Sequence, residues 1–138
     1  MLWSPDSKGF AANQTVGGGG IGERAFVFYL EKNQLRRVDI FRRVEEMFGS
    51  PVKCEVPVPP NTAVIQWLGS KRVLVAAEVV PVSICQCSGT FQTYELSLPD
   101  LRVLRVYPQA KSKELLIDEL GCELQLADDR CARSWQKK

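Results

Sequence analysis

The stretch Leu35-Arg36-Arg37-Val38-Asp39-Ile40-Phe41-Arg42-Arg43-Val44-Glu45-Glu46-Met47-Phe48-Gly49 holds two arginine pairs five residues apart. At 100° per residue, Val38, Ile40, Phe41, Val44, Met47 and Phe48 share one broad helical face, and Arg42 and Arg43 share the other with Asp39 and Glu46. The pattern predicts one short helix over Leu35 to Phe48, ended by Gly49 just past its last turn. Asp39 and Arg43, and Arg42 and Glu46, stand four residues apart, a spacing that lets opposite charges meet on a helix. Arg36 and Arg37 lack such partners and lie near Lys32, with Glu31 alone nearby to offset them. Lys32, Arg36 and Arg37 therefore form a candidate phosphate-binding spot, extended by Arg42 and Arg43; the competing reading is an ordinary solvated helix face.

Strand signals surround that helix. Ala25 to Leu30 (AFVFYL) is aromatic and β-rich, and Glu31 to Gln34 turns the chain. Val52 to Val58 and Thr62 to Leu68 read as two strands joined by the Pro59-Pro60-Asn61-Thr62 turn. Val73 to Leu101 contains no lysine or arginine and reads as two or three strands with a covered face, interrupted or at an edge at Pro81. Leu101 to Tyr107 is a further strand stopped by Pro108. Ser112 to Leu120 predicts a second short helix with Ser112 as its N-cap, and Cys122 to Leu126 alternates like a last strand. No internal repeat and no heptad pattern is apparent. The fold class is α+β, a single small domain built mostly on antiparallel sheet with two short helices.

The flanks differ in character. Residues 1–24 carry Ser4-Pro5-Asp6-Ser7, Asn13-Gln14-Thr15 and four consecutive glycines, Gly17 to Gly20, and predict a glycine-rich flexible arm. The domain is expected over 25–127 and a polar tail over 128–138. The glycine run lacks the preceding strand and following helix of a phosphate-cradling loop.

Composition narrows the chemistry. With no histidine among 138 residues, the commonest general base and metal ligand is missing, which excludes Ser-His-Asp and Cys-His nucleophile systems. The five cysteines, Cys54, Cys85, Cys87, Cys122 and Cys131, are odd in number and lack the repeated C-x2-C spacing of structural zinc, so they read as reduced thiols of a cytoplasmic protein that binds no metal or other cofactor. Glu78, alone in an apolar run, is the one carboxylate that invites a catalytic reading, against the plainer one of a strand's wet side. No apolar run approaches the ~20 residues of a spanning helix, so no membrane association is expected. A net charge of +2 does not by itself select a nucleic-acid partner.

From Ala25 to Trp67 the order of aromatic strand, amphipathic helix ending in Phe48-Gly49, strand, turn and strand resembles the first half of an RNA recognition motif, a ferredoxin-like β-α-β-β arrangement. The resemblance implies that Phe28 stands at the aromatic position of the first strand and that Asn61 to Trp67 matches the end of the third-strand motif. Its stacking positions there fall on Thr62 and Val64 rather than on aromatics, although stacking a base needs an aromatic face. The expected function is that of a non-catalytic binding module acting through a protein partner or as a homo-oligomer. The alternative is single-stranded RNA or DNA binding through Phe28, Lys32, Arg36, Arg37, Arg42 and Arg43.

Overall fold

The structure, a computed structural model, describes residues 1–15, 23–48, 59–79 and 91–120, the side chains of 115–120 excepted. The Val52 to Val58 strand, the glycine run, Gly49, all five cysteines, Pro81, the Cys122 to Leu126 strand and the tail lie outside the described residues.

The first four strands are β1 (Leu2–Trp3), β2 (Gly9–Thr15), β3 (Glu23–Glu31) and β4 (Gln34–Asp39), followed by α1 (Ile40–Phe48). Then come β5 (Asn61–Trp67), β6 (Arg72–Glu78), β7 (Phe91–Ser97), β8 (Val103–Tyr107) and α2 (Gln109–Leu120). They form two four-stranded antiparallel sheets, each ordered as the chain runs: sheet A, β1-β2-β3-β4, and sheet B, β5-β6-β7-β8.

Two expectations are corrected here. Residues 2–15, read as part of an arm, supply two strands of sheet A, with Gly9 to Thr15 paired residue by residue to Tyr29 to Glu23. Their small and polar composition hides a strand because one face is held by alanine and glycine against a neighbouring sheet. The helix expected from Leu35 starts instead at Ile40. Lys32 and Asn33, at φ of 49° and 62°, make a two-residue hairpin turn with both central residues left-handed, the geometry that matches strand twist. Gln34 to Asp39 therefore pairs with β3, and hairpin pairing outweighs the helical periodicity. Asp39 closes the strand and opens the helix, its Oδ1 accepting from the Arg42 backbone N–H at 3.1 Å as an N-cap does. Among the described residues of 25–67, β4 thus stands between the first strand and the helix, where the expected β-α-β-β order has no strand.

Alternation along the strands sorts the two faces of each sheet. Ala11, Ala25 and Val27 of sheet A meet Val64, Trp67, Val73, Val75, Ala77, Tyr94 and Leu96 of sheet B in one buried cluster, closed by Ile40, Val44 and Phe48 of α1. Side chains stitch the two sheets as well. The Asn13 amide accepts from the Val64 N–H (2.9 Å) and donates to its carbonyl (3.0 Å). Thr62 accepts from the Ala25 N–H at 3.2 Å, and Trp67 Nε1 donates to the Leu2 carbonyl at 3.0 Å.

The sheets also repeat one another, which the sequence reading missed. Each runs through four strands in order and ends in a helix. Trp3 closes β1 and Trp67 closes β5; Ser7-Lys8 and Ser70-Lys71 then lead into the second strand. Backbone hydrogen bonds recur at equivalent places: Ser4 N–H to Gly9 carbonyl matches Leu68 N–H to Arg72 carbonyl, both at 2.9 Å. Leu30 N–H to Lys8 carbonyl (2.8 Å) likewise matches Leu98 N–H to Lys71 carbonyl (2.9 Å). In sequence the duplication shows as a Trp followed by Ser-Lys, four residues on to the serine in the first unit and three in the second, because the faces are filled by different residues.

Tyr94 lies in the shared core and donates its hydroxyl to Gln92 Oε1 at 2.8 Å. Burial pushes its phenol well above the ordinary value of 10.0. The unfolded chain ionises there first, so stability from neutral Tyr94 is full below pH ~10 and falls as pH rises beyond it, by up to about 1.4 kcal/mol per pH unit. Tyr94→Phe is expected to flatten that alkaline loss; denaturant titrations on either side of pH ~10 measure it, and identical slopes in both proteins would refute it.

Candidate binding face

The outer face of sheet A, turned away from sheet B, carries three exposed large apolar side chains, Trp3, Leu30 and Leu35. β-Pairing sets Trp3 beside Phe10, Phe10 beside Phe28, and Phe28 beside Arg37, one row across all four strands. Phe10 and Phe28 stack with centroids 4.9 Å apart and planes 17° apart, and Trp3 tilts onto Phe10 at 5.3 Å and 52°. Such cross-strand aromatic pairs stabilise a sheet face by about 0.5–1.5 kcal/mol beyond their burial. Leu30 and Leu35 face each other in the next row and are 54% and 63% exposed, while Trp3 is 61% exposed.

Arg37 ends the row, and Arg24 lies further along the same face of β3, two residues before Phe26. Arg37 lies over the Phe26 ring at 4.1 Å and Arg24 over the Phe41 ring at 4.7 Å, so each keeps its charge in solvent while covering an aromatic face.

The residues singled out in sequence are not brought together as one cluster. Phe28 and Arg37 are adjacent on the outer face. Arg36, next along the strand, points to the opposite side, opposite Tyr29, and pairs with Glu31 at 3.6 Å. Lys32 sits at the hairpin tip. Arg42 and Arg43 are carried by α1, where Arg43 bonds the Leu101 carbonyl through Nε (3.3 Å) and Glu46 through Nη1 (3.3 Å). The i,i+4 pairings expected with Asp39 and Glu46 are replaced by this i,i+3 pair and by the Asp39 cap. Trp3, Phe10, Leu30 and Leu35 were missed because a lone strand's face shows only once its pairing partners are known.

Other candidates resolve into structure. Trp67, Phe91 and Tyr94 are buried. Ser112, expected as a cap, lies inside α2, donating to the Tyr107 carbonyl at 3.1 Å and sharing a hydrogen bond with Thr93 at 2.6 Å. Glu78 is partly buried at the end of β6, between Asn61 and Phe91 in the neighbouring strands. The buried Glu95 is held by Arg72 at 2.8 Å. At the β1–β2 turn, the Ser4 hydroxyl donates to Asp6 at 2.7 Å and lowers its carboxyl below the usual range; Ser97 does the same to Asp100. Among the described residues no group of three or more aspartates, glutamates or cysteines is placed to hold a metal. No described helix is long and apolar enough to cross a membrane.

Comparison with protein-family models, with curated proteins and with solved structures finds no match for this chain.

Proposed function

We propose that this chain is a non-catalytic binding module of the cytoplasm that holds a protein partner against the outer face of sheet A. The observation that carries the reading is the continuity of Trp3, Phe10, Phe28, Leu30 and Leu35 on one exposed sheet face. Contiguous apolar patches bordered by polar groups mark interaction sites, and exposed leucines scattered singly do not. An exposed tryptophan with arginine beside it, as Trp3 and Arg37 stand on this face, is the residue composition enriched in interface hot spots. Cysteine usage supports the compartment.

A second reading is favoured by one feature, the Trp3-Phe10-Phe28 row with Arg37 at its end. That combination of stacking surface and cation also suits single-stranded nucleic acid. The leucine pair beside the row favours protein, since aliphatic side chains offer a base no stacking surface.

The test places a benzophenone amino acid at Leu35 and irradiates the full chain in extract of its source cells. The expected adduct is protein, with none formed when the same probe replaces Gln66 on β5. An adduct with nucleic acid, or tightening of an oligo(dT) complex as salt falls, supports the second reading and overturns the first. An adduct joining two copies of this chain identifies the partner as the module itself.

A further inference from the structure

Resting on that reading, the repeat within the chain identifies what kind of surface the outer face of sheet A accepts. Trp3 corresponds to Trp67, Phe10 to Val73, Phe28 to Leu96 and Leu30 to Leu98, because each pair occupies the same register position in its own sheet. In sheet B those residues form the face that covers sheet A. The outer face of sheet A is therefore the equivalent of a face whose occupant is visible. Trp67 is 9% exposed and bonded to the Leu2 carbonyl, whereas Trp3 is 61% exposed.

The opposite end of the stack is closed in a different way. Past the end of β4, β3 presents the N–H of Glu23, which the first strand of the next unit satisfies through Asn61 Oδ1 at 3.0 Å. The equivalent N–H in sheet B, on Phe91, is satisfied at 3.1 Å by the fully buried Gln109 of α2. α2 thus stands where the first strand of a following unit would stand, and caps that side. Among the described residues no such cap lies over Trp3. In repeat folds built from four-stranded sheets, each unit's open face is covered by its neighbour and only the ends carry caps.

We propose that the outer face of sheet A docks a further four-stranded antiparallel sheet, presenting to it the kind of face that sheet A presents to sheet B. That face is lined by small residues in the manner of Ala11 and Ala25, has a glycine or alanine in the position of Gly9 beneath the Trp3 indole, and offers a strand-end carbonyl to Trp3 Nε1. A second copy of this chain does not supply it. In the copy, the inner face of sheet A lies under sheet B, and α2 packs against β7 on the far face of sheet B through Ser112 and Thr93.

The chain's own first unit is the probe. In a tandem chain, residues 1–66 are followed directly by 3–138, so that a strand ending in Gln66 runs into Trp3 as it runs into Trp67 in the parent. Trp135→Phe in both proteins, and Trp3→Phe in the upstream copy, leave Trp3 and Trp67 as the fluorophores. The expected result is a several-fold fall in acrylamide quenching of Trp3, together with a melting temperature above that of the parent. Placing Gly9→Arg in the upstream copy is expected to restore the quenching while the downstream units stay folded by circular dichroism. Quenching equal to the parent's overturns the proposal, and so does an upstream copy that stays unfolded beside native downstream units, since the open face is required to receive it. Either failure leaves protein adducts at Leu35 standing, which separates it from failure of the broader reading.

Discussion

Trp67→Ala is expected to destabilise the protein by about 3–5 kcal/mol, whereas Trp3→Ala costs about 1 kcal/mol. Removing a buried indole loses its transfer free energy and leaves a cavity between two sheets that meet around it. The change also removes the hydrogen bond to the Leu2 carbonyl, which ties β1 to the second unit. Trp3 fills the same register position but is mostly in solvent, and among the described residues the ring it packs on is Phe10. Urea denaturation of the two variants against the parent gives both values. Equal losses would mean that the faces of the two units are not related as described. A domain of this size has a total stability of about 5–15 kcal/mol, so the first variant stands near the threshold of folding.

Gly9→Ala is expected to cost about 1–3 kcal/mol through overpacking, a large effect for one methyl group. A Cβ at Gly9 would lie 2.8 Å from the Phe28 carbonyl oxygen, 3.2 Å from Tyr29 Cβ and 3.4 Å from Trp67 Cη2. The closest of these is backbone within the β2–β3 ladder and cannot move aside without disturbing the pairing. The counterpart of Gly9 in sheet B is Arg72, whose guanidinium reaches Glu95 on the face turned away from sheet A. A long side chain is accommodated there because no tryptophan of another unit lies over it. Thermal unfolding of Gly9→Ala measures the effect, and an unchanged melting temperature would show that Trp67 does not need the space.

The strand-rich character of the chain was legible wherever β-branched and aromatic residues dominate, as in Ala25 to Leu30, Thr62 to Trp67 and the lysine-free Val73 region. Helices ending in sequence at Phe48 and Leu120 were legible from apolar spacing. Three things were not. β2 (Gly9 to Thr15) has the composition of a loop, and only the close approach of Trp67 explains why small residues belong in it. Gln34 to Asp39 carries helical spacing that a two-residue turn overrides. The binding face depends on cross-strand neighbours, and Trp3, Phe10 and Phe28 are separated by up to 25 residues. Arg36 and Arg37 illustrate the cost of the wrong period. They read as neighbours on a helix, yet on a strand they face opposite ways, and only Arg37 joins the aromatic row.

The stitches between sheets have a kinetic consequence. The amides of Glu23 and Ala25 are held by side chains of β5 rather than by a strand alongside, and the Val64 amide is held by Asn13. Exchange of these protons with solvent is expected to require the sheets to part. In deuterium exchange the three amides should therefore decay together, at the rate of a single concerted opening, although they are some forty residues apart in the chain. The two units then have one lifetime, set at the seam between them and not within either.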